Sequence, residues 1–519
     1  MDNNLRRTVA TTFKLNGFAL QSDATTYLVG ILTPLPENQK LLWLDRIIDK
    51  VQKQPLTSTL IKKDIAELAA KECGKGEQHE QSDVISFIEA FKFPKIRYDK
   101  DRKKFLPSNE MSSVLAVASE KPQMYHNRYS LLLQRTLHHQ LFTPNVQGVE
   151  WETDKKKYNL QALEFLAGCT SKVGDVIVLG MITQLKEGKF YLEDPTGSVQ
   201  MDLSATKFHT GLFTENCFVL AEGSYDDGIF YVNAIGLPPP EESSVTRTYH
   251  GNVNFFGSTS TLNHDRLLVL EAENEGAMLV FVSDVHLDNV LVLEKLKTLF
   301  QGYENSPPVA FVFLGNFLSY PHGNQSCLVL RDSLKALADV ISEFSNLVEN
   351  SKFVIIPGPG DPGFVNILPR PPFPDVITEY FRSAIPNAVF MSNPCRIKYC
   401  SKEIVVFRED VMAKMCRNSI YFPTTGSVPT HFVKTLIGQS HLCPLPLQVC
   451  PIYWSFDHAL HLYPLPDLVV IGDKCDPFTE EQLGTNFINP GSFEKTDFAF
   501  KVYYPFENKV DECQLPSEQ

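Results

Sequence analysis

Two side chains that can bind a metal ion, Asp284 and His286, stand two residues apart after the apolar run Met278–Val282. An aspartate and a histidine in a D-x-H pattern are ligand types found in two-metal hydrolytic sites. Such hydrolysis needs two ions roughly 4 Å apart, usually joined by a bridging ligand, to hold the attacking and leaving oxygens. One D-x-H arises by chance about once in a chain this long, so its meaning depends on the segments that follow it.

Three further segments follow later apolar runs, namely Leu314–Asn316, Gly358–Asp361 and Gly472–Cys475. Together with Asp284 and His286, their order resembles the metal-binding loops of calcineurin-type phosphoesterases. Where that family has a bridging aspartate after glycine, this chain has Asn316, a neutral amide. Where the family has G-N-H-[DE], with a metal-binding asparagine and a catalytic histidine, the run Gly358–Asp361 reads G-P-G-D. Where it has G-H-x-H, this chain has Asp473 and Cys475. The resemblance implies a phosphoesterase fold without most of its metal ligands, and losing a general acid alone costs about 10²–10⁴ in rate.

A site for one metal ion remains as an alternative. Asp284 and His286 are kept, His441 follows the run Phe432–Ile437 where the family has an isolated histidine, and aspartate and cysteine are themselves ligand types. The favoured interpretation is that Asp284 and His286 form an uncharged or hydrogen-bonded pair at a strand end. The sequence thus predicts no catalytic residue, no cofactor and no metal at the vestigial motif positions, which are Asp284, His286, Asn316, Asp361, His441, Asp473 and Cys475.

Hydrophobic periodicity divides the 519 residues into four regions. Residues 1–75 carry apolar stripes at helical spacing and predict an α-helical N-terminal domain of four short helices. Residues 76–160 predict a linker with helical segments, one of them a stripe from Val84 to Phe91. Residues 161–245 predict a β-barrel that resembles an OB-fold. Residues 246–519 predict an α/β layered domain, because apolar β-rich runs alternate there with helical stretches.

The predicted barrel has the wrong charge for a nucleic-acid groove. Five short β runs are separated by turn residues, and residues 174–237 contain three basic side chains against nine acidic ones. Proteins that bind single strands combine stacking aromatic residues with a positive groove. We therefore expect a structural or protein-binding barrel.

The most basic stretch of the chain runs from Lys92 to Lys104. It could act as a nuclear import signal or contact a phosphate backbone. A solvated inter-domain linker is the favoured interpretation, because runs of charge usually stay in water.

The composition excludes several classes of protein. A formal net charge of −13 disfavours DNA binding as the main activity, because an acidic chain repels the phosphate backbone. No apolar run approaches the ~18 residues of a membrane helix, and the first residues lack the apolar core of a signal peptide. Eleven scattered cysteines are typical of reduced thiols, so we expect a soluble intracellular protein.

Several segments together make the resemblance more specific. The closing run Asn486–Ser492 is similar to the N-P-G-S turn of the phosphoesterase superfamily, and the domain is similar to the inactive phosphoesterase domain of the B-subunits of replicative DNA polymerases, which also carry an OB-fold. Within that family, this chain most resembles the epsilon-type members. The resemblance lies in the helical N-terminus and in the runs Asn393–Ile397, Phe407–Asp410 and Tyr463–Asp467.

The resemblance implies a nuclear, non-catalytic accessory subunit in DNA replication. Its OB-fold and inactive phosphoesterase domain would pack together and hold the zinc-binding C-terminal region of the catalytic subunit of DNA polymerase epsilon. Its N-terminal domain, which resembles the helical lid of AAA+ ATPases, would contact the replicative helicase assembly, and small histone-fold subunits would be further partners. Contact with DNA would be indirect or weak, and no membrane would be involved.

Two alternatives come from other classes of protein. A metal-dependent phosphoesterase or nuclease with a degenerate site is disfavoured by the replaced ligands. An independent single-strand-binding protein is disfavoured by the acidic barrel. Metal analysis tests the first and oligonucleotide binding tests the second.

Overall fold

The computed structural model describes residues 2–33, 40, 43–45, 47–48, 51, 60–63, 65–67, 69, 84–108, 110–143, 157–250, 253–257, 264–363 and 366–516. The chain forms two compact units, of which the first ends at Ile85 and the second begins at Ser86. Among the described residues, no helix has the length and apolar character needed to cross a bilayer.

Among its described residues, the first unit contains two complete helices, a short parallel strand pair and parts of further helices. Its elements are α1 (Asp2–Leu15), β1 (Ala19–Leu20), α2 (Ser22–Leu32) and β2 (Leu60–Ile61). The apolar stripes of the first two predicted helices are buried, for example at Val9, Phe13 and Leu28. The prediction of helix at Leu60 and Ile61 was wrong, because these residues pair with β1. Residues 43–45, 47–48 and 51 of the third predicted helix and residues 63, 65–67 and 69 of the fourth are helical, and the residues between them lie outside the described ones.

The segment that follows is more ordered than a linker. The stripe from Val84 to Phe91 was predicted to be helical, but it forms β3 (Ile85–Glu89), the edge strand of a sheet in the α/β domain. Its β-branched and aromatic residues suit a half-buried strand. A hairpin and a long helix come next, namely β4 (Ile96–Asp99), β5 (Lys104–Pro107) and α3 (Glu120–His138).

The five predicted β runs are confirmed as the strands of a closed barrel. Their order is β13-β12-β7-β8-β9, and parallel pairing of β13 with β9 closes the ring. The elements of this region are β6 (Leu160–Gln161), α4 (Leu163–Ala167), β7 (Val173–Lys186), β8 (Lys189–Asp194), β9 (Gly197–Asp202), β10 (Lys207–Phe208), β11 (Phe213–Thr214), β12 (Phe218–Asp226) and β13 (Ile229–Gly236).

The α/β domain contains two six-stranded sheets. Its first half comprises α5 (Ser243–His250), α6 (His264–Glu273), β14 (Leu279–Ser283), α7 (Val290–Tyr303), β15 (Ala310–Leu314), α8 (Ser326–Ser342), α9 (Ser345–Asn350), β16 (Lys352–Ile356), α10 (Asp375–Ala384), β17 (Ala388–Phe390) and β18 (Cys395–Tyr399). Its second half comprises β19 (Lys402–Arg408), α11 (Val411–Arg417), β20 (Ser419–Tyr421), α12 (Val428–Gln439), β21 (Leu468–Gly472), β22 (Phe478–Gln482), β23 (Thr485–Asn489), β24 (Ala499–Tyr504) and β25 (Lys509–Gln514). Short 3₁₀ turns lie at Ala90–Lys92, Gly323–Gln325 and Trp454–Leu460.

Helices cover one face of each sheet. The first sheet has the order β17-β16-β15-β14-β24-β25 and packs against α7, α8 and α10. The second has the order β22-β23-β21-β19-β18-β3 and packs against α11 and α12. Every residue of β14, β15 and β21 is buried, so both faces of these central strands are covered, as the continuous apolar runs predicted.

The barrel is fastened to α12 by hydrogen bonds from its own backbone. The Leu212 N–H donates to Thr435 Oγ1 at 2.8 Å, and Gln439 pairs with both backbone groups of Phe218 at 2.7–2.8 Å. The Arg135 side chain, from α3, donates to the carbonyl oxygens of Ile437 and Gly438 at the end of α12. These bonds satisfy buried polar groups on both sides and make the barrel and the α/β domain one packed body.

Candidate functional site

The candidate motifs lie at one edge of the two sheets. Strands β14, β15 and β16 are parallel to one another, and so are β19 and β21. Parallel strands place their carboxyl ends at the same edge, where ligands bind in α/β folds. The edge is tightly packed, since a Cβ added at Gly472 would lie 2.6 Å from Arg408 Cδ and from Ser283 Oγ. The two sheets therefore meet there with no room for a side chain at this glycine.

A buried arginine side chain occupies the centre of this edge. Arg408, the last residue of β19, is 1 % exposed. Its Nε and Nη2 donate to Asp284 Oδ1 at 2.9 and 2.7 Å. Its Nη1 donates to Asp410 Oδ1 at 2.9 Å and to the Gly472 carbonyl at 3.0 Å. Arg408 thus joins the loops that follow β14, β19 and β21.

The environment of Arg408 favours its charged form. Burial opposes the charge, but the carboxylates of Asp284 and Asp410 outweigh burial and raise the pKa of Arg408 above its ordinary value. Asn393 also accepts from the Arg408 N–H at 3.0 Å and donates to its carbonyl at 2.6 Å, which fixes the backbone. The positive charge at this sheet edge is therefore supplied by the Arg408 guanidinium.

The second and third motif loops bind each other. The backbone N–H of Asn316 donates to Asp284 Oδ1 at 3.1 Å, and Asn316 Oδ1 accepts from the Gly360 N–H at 2.6 Å. The carboxylate of Asp361 accepts from the backbone N–H groups of Phe317 and Gly358, both at 2.7 Å. Burial raises the pKa of Asp361 to about 6 despite these bonds. These polar side chains are engaged by the backbone of the neighbouring loop.

The fourth motif serves a helix terminus. Asp473 Oδ2 accepts from the Met412 N–H at 2.8 Å, at the start of α11, and Oδ1 accepts from the Cys475 N–H at 3.1 Å. A carboxylate satisfies unpaired N–H groups at a helix N-terminus. Burial, with Asp473 nearby, raises the pKa of Cys475 to about 12, so its sulfur is a thiol at neutral pH.

His286 and Asp284 do not form the expected pair. The His286 ring Nδ1 lies 2.5 Å from Glu494 Oε2, whose other oxygen accepts from Asn289 at 3.0 Å. Asp284 instead forms an ion pair with Arg408. The predicted Asp284–His286 pair was wrong, because each side chain has a stronger partner from a distant part of the chain.

The structure places His441 in a second cluster, around Asp457. His441 Nδ1 accepts from the Cys443 N–H at 2.9 Å, so its proton is on Nε2, which lies 3.2 Å from Asp457 Oδ1. His461 lies 3.1 Å from Asp457 Oδ2, and Arg128 donates to both carboxylate oxygens. Arg128 and His441 keep the pKa of Asp457 well below its usual range, although burial opposes this.

The Asp457 cluster has metal-ligand residue types but an unsuitable charge. Ligand atoms of His441, Asp457 and His461 lie within 4.8 Å of one another. The Arg128 guanidinium already neutralises the carboxylate, and the Nε2–H of His441 points toward it as a donor. This arrangement is a hydrogen-bonded hub that joins α3 to the 454–460 turn.

Sequence reasoning missed Arg408, Asp410, Glu494, Arg128 and Asp457. One signal for Arg408 was available, since it directly follows the apolar run Ile404–Phe407, as the other motif residues follow theirs. A charged residue at the carboxyl end of a buried strand needs a partner at the same sheet edge. The other four residues carried no local signal.

Comparisons with known proteins identify relatives of the whole chain. Family models match residues 279–480 (the B-subunit family of DNA polymerases alpha and epsilon), 118–239 (DNA polymerase epsilon subunit 2-like, OB-fold domain) and 1–73 (DNA polymerases epsilon N terminal). DNA polymerase epsilon subunit 2 of Mus musculus is 50 % identical over 98 % of both chains. The Drosophila melanogaster protein of that name is 40 % identical over 99 % of this chain and 98 % of its own. A solved archaeal phosphodiesterase is 14 % identical over 46 % of this chain and 99 % of its own, with a TM-score of 0.27.

Removal of the buried guanidinium should destabilise the α/β domain. Arg408→Met leaves the buried Asp284 without its cation, and we expect a loss of roughly 3–5 kcal/mol in the free energy of unfolding. Urea denaturation measures this loss. The double variant Asp284→Asn with Arg408→Met should lose less unfolding free energy than the sum of the losses of the two single variants, because the unpaired Asp284 carboxylate is no longer charged. Arg331→Met, at an exposed position, is the matched control. A loss below about 0.5 kcal/mol for Arg408→Met, the range of an ordinary surface substitution, would contradict the assignment.

Stability should depend on pH through His441. Burial, with Arg128 nearby, lowers the pKa of His441 to about 3 in the folded protein. Between pH 6.5 and 3 the unfolded chain therefore binds a proton that the folded chain does not, and stability falls as the pH falls. His441→Gln should flatten this dependence by up to about 1.4 kcal/mol per pH unit. Urea titrations at several pH values measure the slope. The exposed His126→Gln should leave it unchanged, and equal slopes for both variants would show that His441 is not buried in its neutral form.

Proposed function

The chain belongs to the DNA polymerase epsilon subunit 2 family, and we propose that its α/β domain serves the polymerase as a rigid scaffold without hydrolytic activity. The protein is an accessory subunit of this polymerase, and its partner is the catalytic subunit. The observation that carries the proposal is the Arg408 guanidinium between Asp284 and Asp410, at the edge where a hydrolase of this fold would need metal ions.

The residues at this edge do not fit a divalent ion. Asp284 Oδ1 already accepts from two guanidinium N–H groups and from the Asn316 N–H. A divalent ion beside Asp284 would be repelled by a cation that burial leaves poorly screened. Asn316 is a neutral amide at the bridging position, and Asp473 is bound to α11. We infer that none of the seven vestigial positions binds metal or takes part in catalysis, and no reaction step is assigned to them.

The scaffold would act through geometry and binding energy. We propose that the barrel and the α/β domain, which are joined through α12, hold the zinc-binding C-terminal region of the catalytic subunit. We also propose that the helical N-terminal domain contacts the replicative helicase assembly and that small histone-fold subunits are further partners. A role of this kind would be carried out in the nucleus.

We retain four regions as the proposed domain division, with one amendment. They are a helical N-terminal domain (1–75), a connecting region (76–160), an OB-fold (161–245) and an inactive phosphoesterase-like domain (246–519). The amendment is that Ile85–Glu89, inside the connecting region, belongs to a sheet of the last domain.

Metal content and hydrolysis test the proposal directly. The full chain, purified with the catalytic subunit, should show no aryl-phosphate hydrolysis above background with added Mn²⁺. After purification alone it should contain Mn, Fe and Zn at well below one ion per chain. The Asp284→Asn and His286→Ala variants serve as matched controls and should give the same background. Hydrolysis that either variant abolishes would establish the phosphoesterase or nuclease alternative.

The acidic barrel should not retain single-stranded DNA. At low salt, where electrostatic binding is strongest, we expect a labelled oligo-dT to show no shift with the full chain. The exposed Tyr231 is the aromatic residue of the barrel best placed to stack on a base. Salt-sensitive binding that Tyr231→Ala weakens would contradict the assignment of the barrel as a structural element.

A further inference from the structure

A short segment between β5 and α3 presents apolar side chains to solvent. Met111 is 96 % exposed, Val114 48 %, Leu115 92 % and Val117 67 %. Scattered exposed apolar residues are ordinary, but a contiguous exposed group is typical of an interaction site. We call residues 110–119 the apolar strap.

The apolar strap is held at both ends by one lysine whose side chain is largely covered. Lys95 Nζ lies 3.5 Å from Glu110 Oε2 and 3.6 Å from Glu120 Oε2, and the Lys95 side chain is only 9 % exposed. Arg97 adds a 2.7 Å bond to Glu110, and Ser112 Oγ donates to the Ser455 carbonyl at 3.0 Å. A segment that is already fixed loses less conformational entropy when a partner binds it. The strap is thus organised for contact before a partner arrives.

A basic hairpin adjoins the apolar strap. The Ser108 N–H donates to the Lys95 carbonyl at 2.7 Å, which joins the start of the strap to the hairpin of β4 and β5. Residues 92–104 contain seven basic side chains against two acidic ones, a net charge of +5 in a chain of −13. Four of the basic side chains are exposed around the hairpin tip, namely Lys100, Arg102, Lys103 and Lys104. The exposed positive charge lies at the tip of the hairpin, and the apolar strap begins beside the hairpin base, about four strand residues or roughly 13 Å away.

We propose that the apolar strap and this hairpin form a docking surface for an acidic amphipathic segment of a partner protein. Apolar side chains of that segment would cover Met111, Leu115 and Val117. Its carboxylates would face Lys100, Lys103 and Lys104, in the charge complementarity that sets specificity at interfaces. Helical segments with one apolar face commonly bind in this way.

Nucleic acid fits this surface less well than a peptide does. Single-strand binding uses aromatic side chains on which bases stack. The exposed side chains of the strap are aliphatic or contain sulfur, and burying them needs apolar groups on the partner. The proposal rests on the scaffold function, to which it adds a docking surface separate from the vestigial edge.

Peptide binding by the full chain tests the proposal. The probe is a fluorescein-labelled synthetic helix with leucine on one face and glutamate at the positions that flank this face. Its counterpart with lysine for glutamate and an oligo-dT of similar length serve as comparisons, and anisotropy measures binding. We expect the glutamate peptide to bind at least about tenfold more tightly than the lysine peptide, with an affinity that falls as salt rises. Equal binding of both peptides, no binding of the glutamate peptide, or competition by oligo-dT would overturn the proposal.

Exposed variants separate the two contributions without disturbing the core. Met111→Ser with Leu115→Ser should weaken binding of the glutamate peptide at least about tenfold at every salt concentration. Lys100→Glu with Lys103→Glu should weaken it chiefly at low salt. The matched controls are Val376→Ser, 79 % exposed on α10, and the exposed Lys207→Glu on β10, which should leave binding unchanged. An equal effect of the controls would overturn the proposal.

The failure of this proposal can be told apart from failure of the scaffold function. All four variants should still co-purify with the catalytic subunit, because their substitutions lie on exposed side chains and leave the buried contacts of the barrel and the α/β domain intact. Loss of the catalytic subunit from the strap variants alone would contradict a separate docking surface. Loss of peptide binding with the catalytic subunit retained is the expected result.

Discussion

The ion pair between Arg408 and Asp284 is the interaction on which the loop edge of the α/β domain depends. Burying two charges costs several kcal/mol for each ion unless the geometry and the remaining hydrogen bonds compensate for it. Here Nε of the Arg408 guanidinium donates to Asp284 and Nη1 donates to Asp410, and Asp284 also accepts from the Asn316 N–H. A cation supplied by the protein therefore holds together the loops that follow β14, β19 and β21.

Two further buried arginines, Arg128 and Arg135, join distant segments of the second unit in a similar way. From α3, Arg128 binds Asp457, while Arg135 binds carbonyl oxygens at the end of α12. The barrel is bound to α12 by its own backbone groups. These fixed contacts involve side chains that would be costly to leave unpaired. They make one packed body, as the proposed scaffold function requires.

The sequence predicted the strands well because their signals are local. The apolar runs before Asp284, Asn316 and Asp473, and the turn residues of the barrel, mark elements within a few residues. It also placed the motif loops at one sheet edge, because parallel strands end together. What it could not supply were partners distant along the chain. Arg408 is 124 residues from Asp284, and Arg128 is 329 residues from Asp457. The strand Ile85–Glu89 was mistaken for a helix for the same reason, since its neighbour in the sheet is β18.

An anomalous difference map from crystals of the polymerase subcomplex soaked in Mn²⁺ tests the central claim most directly. The account predicts no peak at the loop edge and clear density for the Arg408 guanidinium between Asp284 and Asp410. A peak within coordination distance of Asp284, with the Arg408 side chain turned away, would contradict it.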